Sequence, residues 1–159
     1  MRLYGPRTNL RPKRRVNTMV SKYFRLEEFL DSSVARQKGI SNLPSWEVIE
    51  HLKELALFLD QMRSEWGSGI KVTSGFRNEK LNAAVGGVKN SAHPSGYAAD
   101  LQPSNGKFDA FVEFVKVWSW NKNFDQLIIE EKGKTKWLHV GLKGPNGQQR
   151  RMIFGKVVK

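Results

Sequence analysis

The sequence feature that most constrains the fold is a long amphipathic segment in the first half of the chain. After Ser45, apolar residues recur at alternating steps of four and three as far as Trp66, which predicts one face of an α-helix. Ser45 is a suitable N-cap for this helix, and Gly67 is a suitable stop. His51 lies beside the stripe, where a structural role is expected. The stripe consists of Val48, Leu52, Leu55, Leu59, Met62 and Trp66.

Short strand-like segments supply a layer on which this helix can pack. Strands are predicted over residues 70–74, 98–102, 124–130 and 136–142, with the turn at 132–134 joining the last two as a hairpin. Residues 151–158 read either as a last edge strand or as a basic tail. Further helices are predicted over 26–30, 78–85 and 107–120, and a loop over 39–44. The expected fold is α+β: a small antiparallel sheet with packed helices and a metal site between sheet and loops.

Composition excludes several classes of protein and site. The 159 residues contain no cysteine, which rules out disulfides and thiolate metal sites. No segment reaches the roughly 18–20 apolar residues of a membrane span. The basic N-terminus lacks the apolar run of a standard secretory signal. A metal ion, if bound, must therefore be held by histidine and carboxylate.

The positive charge is concentrated at the N-terminus. The formal net charge is +12, and residues 1–20 contain six Lys and Arg residues with no acidic residue. We expect these residues to form a basic arm, disordered or docking, ahead of one domain over 21–159. The arm either adds solubility alone or docks on an anionic polymer, nucleic acid or a partner protein such as a virion component. Nucleic-acid binding is disfavoured for the domain, because no recognised motif is present and the aromatic residues fall on core stripes.

Two segments carry the residues with metal chemistry. His93 and Asp100 lie in the stretch over 91–100, and His139 lies in the predicted hairpin strand. Two imidazoles and one carboxylate form a three-ligand zinc set that leaves a fourth position for water, as in catalytic sites. The spacing alone also fits three unrelated polar residues, and the ligand types would suit another divalent ion.

Three ordered motifs give the chain a family resemblance. The motifs are Ser74-Gly75-Phe76-Arg77, Ser91 to Asp100 and Trp137-Leu138-His139-Val140, and in this order they resemble the peptidase M15 family, as does the segment over 81–87 that lies between the first two. The likeness spans about residues 21–142 and is to its short single-domain branch, which includes many phage proteins. These are zinc D-Ala-D-Ala carboxypeptidases and peptidoglycan endopeptidases. The resemblance implies Zn²⁺ as cofactor, His93, Asp100 and His139 as its ligands, and peptidoglycan peptide stems as substrate.

The resemblance also implies roles for two further residues. Arg77 matches the family arginine that contacts substrate or polarises its carbonyl, and a forked, permanently charged donor suits a carboxylate or an oxyanion. A surface ion pair is the alternative for Arg77. Ser91 matches a serine near the substrate end, and a hydroxyl that caps its own loop is the alternative there.

The general base is less evident, because Lys136 stands where many family members have an acid. The short branch instead tends to carry a glutamate at the end of the preceding strand, which points to Glu130, with Glu131 as the adjacent alternative. Strand alternation sends these two side chains to opposite faces, so a single one of them can face the metal.

These residues lead to two functional hypotheses. The first is a zinc metallopeptidase acting on peptidoglycan stems as a carboxypeptidase or an endopeptidase. The second is a catalytically weak or inactive metal-binding module of a larger assembly such as a virion. With no standard signal peptide, the expected setting is a phage virion or the host cytoplasm, with action at the bacterial cell wall.

Overall fold

The computed structural model describes residues 18–159, apart from the side chains of residues 154, 156 and 157. In this part of the chain, five α-helices accompany one five-stranded sheet. The helices are α1 (Leu26–Leu30), α2 (Ser33–Lys38), α3 (Trp46–Trp66), α4 (Glu79–Ala84) and α5 (Phe108–Trp118), the last followed by a 3₁₀ turn at Ser119–Asn121. The strands are β1 (Ile70–Ser74), β2 (Ala98–Pro103), β3 (Gln126–Lys132), β4 (Thr135–Gly141) and β5 (Met152–Val158). The predicted α+β class is confirmed.

The sheet is mostly antiparallel, in the order β1-β2-β4-β3-β5. Its departure from the expected antiparallel sheet is β5, which pairs with β3 in parallel at the edge. Before β5 begins, the Arg150 side chain donates two hydrogen bonds to Asp125, at 2.8 and 2.9 Å. This ion pair attaches the start of β5 beside β3. Residues 151–158 are therefore an edge strand rather than a tail.

Helix α3 begins and ends where the sequence predicted, after Ser45 and before Gly67. The Ser45 hydroxyl accepts a hydrogen bond from the Val48 amide at 3.2 Å, and Gly67 ends the helix at a φ of 74°. A φ in that range favours glycine, which has no Cβ to clash with the backbone. The apolar stripe of α3 is buried against the sheet and α5. The fully buried members of this core include Leu52, Leu55, Leu59, Met62, Phe111, Val115, Leu101, Leu127, Leu138 and Val140.

Strand alternation separates the core from the polar face of the sheet. Leu101 and Leu138 face the helices, so Asp100 and His139, one residue away on the same strands, face the opposite side. Glu130 shares that opposite side, since it pairs with Trp137, two residues from His139. One face of the sheet therefore packs on the hydrophobic core, and the opposite face carries the polar residues Asp100, His139 and Glu130.

Helix α2 was not predicted from the sequence. The Ser32 hydroxyl caps its start, accepting from the Ala35 amide at 3.2 Å, and Gly39 ends it at a φ of 63°. Its six residues, SVARQK, bury Ala35 and carry no apolar stripe from which a helix could be recognised. The other predicted elements are present, with ends displaced by one or two residues.

Most of the predicted basic arm over 1–20 lies outside the described residues, and the division into an arm and a 21–159 domain stays a prediction. Within residues 18–159, no helix combines the length and the apolar character needed to cross a membrane.

Candidate metal centre

His93, Asp100 and His139 come together on the polar face of the sheet. Asp100 on β2 and His139 on β4 are directly opposite each other in the antiparallel register, and His93 reaches them from the loop before β2. Asp100 Oδ1 lies 3.0 Å from His139 Nδ1 and 3.4 Å from His93 Nε2. All three residues are buried, with exposed fractions of 1%, 6% and 7% respectively.

The His93 ring is oriented by the backbone of the segment after β1. Its Nδ1 lies 2.6 Å from the Gly75 carbonyl oxygen. Because a carbonyl can only accept, Nδ1 carries the proton and Nε2 keeps its lone pair toward Asp100. Gly75 must be glycine here, since a Cβ would lie 2.6 Å from the Phe29 carbonyl oxygen.

The other side of the His93 loop rests on α3. His51 Nδ1 lies 2.7 Å from the Ser95 carbonyl oxygen, and its ring stacks on Tyr97 with centroids 4.1 Å apart. Gly96 adopts a φ of 81°, and a Cβ there would meet the Val48 carbonyl oxygen at 3.0 Å. These contacts fit the structural role expected for His51.

The three side chains fit the coordination of a zinc ion. One ligand atom from each residue can be chosen so that all lie within 4.8 Å of one another. A tetrahedral site with bonds of about 2.0–2.1 Å has ligands about 3.3 Å apart, close to the 3.0 and 3.4 Å separations around Asp100. Two imidazoles and a carboxylate are also a donor set that zinc uses in catalytic sites.

The electrostatics keep these groups in the forms that bind metal. Burial opposes ionisation of Asp100, but the adjacent His93 and His139 outweigh it and hold the Asp100 pKa well below its ordinary value. Burial lowers the pKa of His93, although the Asp100 charge opposes that shift. The site therefore presents a carboxylate and a neutral imidazole at neutral pH, as metal binding requires.

Arg77 lies beside the centre, on the segment whose Gly75 carbonyl orients His93. Arg77 is half-buried, and its Nε is buried with no hydrogen-bond partner among residues 18–159. Burial lowers the pKa of Arg77, and the charges of Asp100 and Glu130 oppose that shift. An arginine remains a cation under such shifts, so a half-buried positive charge lies near both carboxylates, and its buried Nε is a donor without a partner among the described residues.

The two candidate bases lie on opposite faces, as alternation predicted. Glu130 is on the face of His139 and is 7% exposed. It is diagonal to His139 across the strand pair, a spacing of about 7–8 Å between backbones that long side chains can bridge. Glu131 pairs with Lys136 and turns to the α5 side, where both line a shallow cleft with Phe108. The register therefore excludes Glu131 from the polar face and also turns Lys136 away from the centre.

Glu130 has two partners that the sequence analysis did not identify. Its Oε2 accepts from Trp137 Nε1 at 2.8 Å and lies 2.9 Å from Lys159 Nζ. The Trp137 contact follows from the hairpin register and was accessible in principle from the sequence. The Lys159 contact depends on the parallel placement of β5 and had no local signal.

Ser91 lines a cleft together with Pro94 and Ser95, the two residues that follow His93, although none of the three clustered side chains is part of the lining. The Ser91 hydroxyl oxygen accepts a hydrogen bond from the His93 amide at 3.1 Å, which is the loop-capping contact. The cleft measures about 570 Å³. Its polar and charged lining includes Glu79, Asn82, Lys89, Asn90, Ser91 and Ser95, with Pro145 from the loop after β4.

Comparison with known proteins identifies the family of this chain. No curated protein matches the chain. A family model described as Peptidase M15 matches residues 22–141, a range that runs from just before α1 to the end of β4. The range contains the three clustered side chains together with Arg77 and Glu130. Because the match covers most of the 159 residues, the chain belongs to the peptidase M15 family.

Proposed function

We propose that this protein is a zinc-dependent peptidase that hydrolyses peptide bonds in peptidoglycan stem peptides. Membership of the peptidase M15 family implies a metallopeptidase. The observation that carries the proposal is the buried group of His93, Asp100 and His139, whose ligand atoms lie within 4.8 Å of one another. The carboxypeptidase and endopeptidase forms of the reaction use the same centre.

In the proposed mechanism, His93, Asp100 and His139 hold the zinc ion. A zinc ion held by these residues would supply Lewis-acid chemistry for the scissile carbonyl and for a reacting water. Glu130 accepts the proton of the attacking water and returns it to the leaving amine. Arg77 binds negative charge, either on the substrate carboxylate or on the carbonyl oxygen as the bond breaks.

The polar lining of the cleft next to the His93 loop is an argument for a peptide substrate. Its lining combines one carboxylate, one ammonium group, two amides and two hydroxyls. Such a surface suits a polar, charged peptide better than a large apolar side chain, because polar groups need matching partners when water leaves. Ser91 lines this cleft and has a hydroxyl proton available to donate. We assign it to substrate binding beside its loop-capping contact.

The proposed setting is the bacterial cell wall, reached by a phage-borne or virion-associated enzyme. The net charge of +12 supports it, because bacterial envelopes are anionic and opposite charge speeds encounter. An anionic polymer or a virion protein is the proposed partner of the N-terminal arm.

A second candidate function is a metal-binding module that does not turn over. Lys159 Nζ and Trp137 Nε1 both contact Oε2 of Glu130, so this oxygen is already engaged. If Glu130 stays held in this way when substrate binds, the domain retains the metal without a working base.

A paired substitution separates these two functions. The parent chain and its Glu130→Gln and Glu131→Gln variants are purified, assayed for zinc, and incubated with peptidoglycan and a D-Ala-D-Ala-ended stem peptide. The peptidase predicts about one zinc in each protein, cleavage by the parent and Glu131→Gln, and loss of cleavage in Glu130→Gln. Zinc without cleavage by the parent supports the second candidate. Absence of zinc from the parent contradicts both.

A further inference from the structure

We propose that Asn42 is a positioning residue that sets the placement of Arg77 at the reaction centre. The inference rests on the proposed function of Arg77 and adds a residue that lies outside the three sequence motifs. Asn42 is in the loop between α2 and α3, and it is half-buried.

The side chain of Asn42 holds the backbone on both sides of Arg77. Its Nδ2 donates to the Phe76 carbonyl at 2.9 Å, and its Oδ1 accepts from the Asn78 amide at 3.0 Å. Nδ2 also donates to the Leu30 carbonyl at 3.2 Å, which ties the clamp to the end of α1. One amide thus fixes the residues immediately before and after the arginine.

A second asparagine reinforces the same connection. Asn78 Nδ2 donates to the Ser41 carbonyl at 2.5 Å, next to Asn42 in the chain. Asn78 Oδ1 accepts from the Leu81 amide at 2.9 Å and so caps α4. The two loops are therefore cross-linked by their asparagines in both directions.

The Arg77 side chain depends on this backbone support. Its Nε has no hydrogen-bond partner among the described residues, and its neighbours at the centre are charges rather than bonded acceptors. The position of the guanidinium relative to Asp100 and Glu130 is consequently determined largely by where the backbone at 76–78 lies.

The ring of His93 is oriented by a contact that lies outside the Asn42 clamp. The Gly75 carbonyl that orients the His93 ring precedes a Phe76 amide that donates to the Phe29 carbonyl at 2.7 Å. That contact does not involve Asn42. The segments of Arg77 and His93 do meet at one main-chain hydrogen bond, from the Arg77 amide to the His93 carbonyl at 3.3 Å. Because the His93 ring keeps its own contact with Gly75, removing the Asn42 side chain should impair catalysis much more than zinc affinity.

The first test is a double-mutant cycle on the full, zinc-loaded chain. Asn42→Ala is expected to lower kcat/KM for a stem peptide by about 10- to 100-fold, as misplacement of a charge-stabilising group does. Zinc affinity should change by less than about threefold. In an Arg77→Ala background, Asn42→Ala should cause no further loss, because residues that act through one another are not additive.

Asp60 offers a matched control. Its carboxylate also joins a loop to a helix through three hydrogen bonds, from Ser21 Oγ, the Lys22 amide and the Tyr23 amide at 2.9, 3.0 and 3.1 Å. It is nine residues beyond His51 on α3, about 14 Å along the helix axis. Asp60→Ala should leave kcat/KM within about twofold of the parent when both are folded. A loss from Asn42→Ala that is equally large with Arg77 present or absent would overturn the proposal.

If the parent does not cleave stem peptides, that result counts against the proposed function alone. The positioning role of Asn42 can then be tested by NMR. The Nε–H signal of Arg77 is assigned by its disappearance in Arg77→Lys. The signal should shift in Asn42→Ala and stay in place in Asp60→Ala. An unchanged signal would contradict the positioning role. If Asn42→Ala does not fold, Asn42→Asp replaces it, since that variant keeps the acceptor for Asn78 and removes the donor to Phe76.

Discussion

Asp100 and His139 face each other across two antiparallel strands, with Oδ1 of one 3.0 Å from Nδ1 of the other. Their separation is set by the ladder of backbone hydrogen bonds between β2 and β4 rather than by a loop. The remaining side chain, His93, comes from a loop held on one side by Gly75 and on the other by His51. Two members of the candidate centre are therefore fixed by the sheet, and one is fixed by its neighbours.

Replacing Asp100 with asparagine should abolish tight zinc binding. The variant keeps the size of the side chain but removes the charge, and loss of a ligand should cost more than the roughly 10- to 100-fold that loss of a ligand's supporting partner costs. We expect zinc affinity to fall by at least about 100-fold, measured by competition with a chromophoric chelator. Asp109→Asn, an exposed change on α5, is the control and should bind zinc as the parent does.

Gly75→Ala should damage both stability and metal binding. The new Cβ would lie 2.6 Å from the Phe29 carbonyl oxygen, so the backbone must move, at a typical cost of about 1–3 kcal/mol. The same movement displaces the carbonyl that orients His93. Urea unfolding and zinc titration measure the two effects. Gly155→Ala places its Cβ in open space and should stay within about 0.5 kcal/mol of the parent. Equal zinc affinity in the two variants would contradict the role of the Gly75 carbonyl.

The metal-free protein should lose stability as the pH falls below about 6.5, the ordinary pKa of histidine. Burial lowers the pKa of His93, so the unfolded chain takes up a proton that the folded chain does not. The stability that depends on neutral His93 is fully present above the pKa of this residue in the unfolded chain. It declines as the pH falls toward the lower pKa of His93 in the folded chain. Urea unfolding in EDTA at pH 8 and pH 5.5 measures the effect. His93→Asn should reduce the difference, and an unchanged difference would refute the assignment to His93.

The Asp125–Arg150 pair should stabilise the attachment of β5 in a pH-dependent way. Hydrogen bonds from Arg150 lower the pKa of Asp125, so the contribution is present above about pH 4, the ordinary Asp range, and is lost as pH falls through the folded pKa. At pH 7, Asp125→Asn should cost about 1–3 kcal/mol, as for hydrogen bonds to charged groups. Thermal unfolding should show the parent and variant converging toward pH 3. A constant gap between them would argue against the ion pair as the cause.

Much of the fold followed from local signals in the sequence. Helix α3 was predictable because its cap, its apolar stripe and its terminal glycine all act within a few residues of one another. Alternation in the strands likewise predicted that Glu130 and Glu131 would face opposite ways. Helix α2 escaped prediction because six residues with a single buried alanine carry too weak a pattern.

The candidate centre shows where sequence information ends. The ordered motifs pointed to His93, Asp100, His139 and Arg77 as candidates, and the family match over residues 22–141 agrees with the family those motifs indicated. The sequence did not decide which glutamate shares a face with His139. That choice was made by the register that pairs Glu130 with Trp137, a consequence of how the whole hairpin packs on the core.

By itself, the sequence determined most of the helices and strands and the residue types at the candidate centre, because capping, alternation and helical periodicity are short-range effects. The tertiary structure decided the parallel placement of β5, the contact between Lys159 and Glu130, and the clamp of Asn42 around Arg77. The last two join residues about thirty or more positions apart in the chain. Their approach depends on burying one shared apolar core, and no local pattern encodes which distant polar groups that burial brings together.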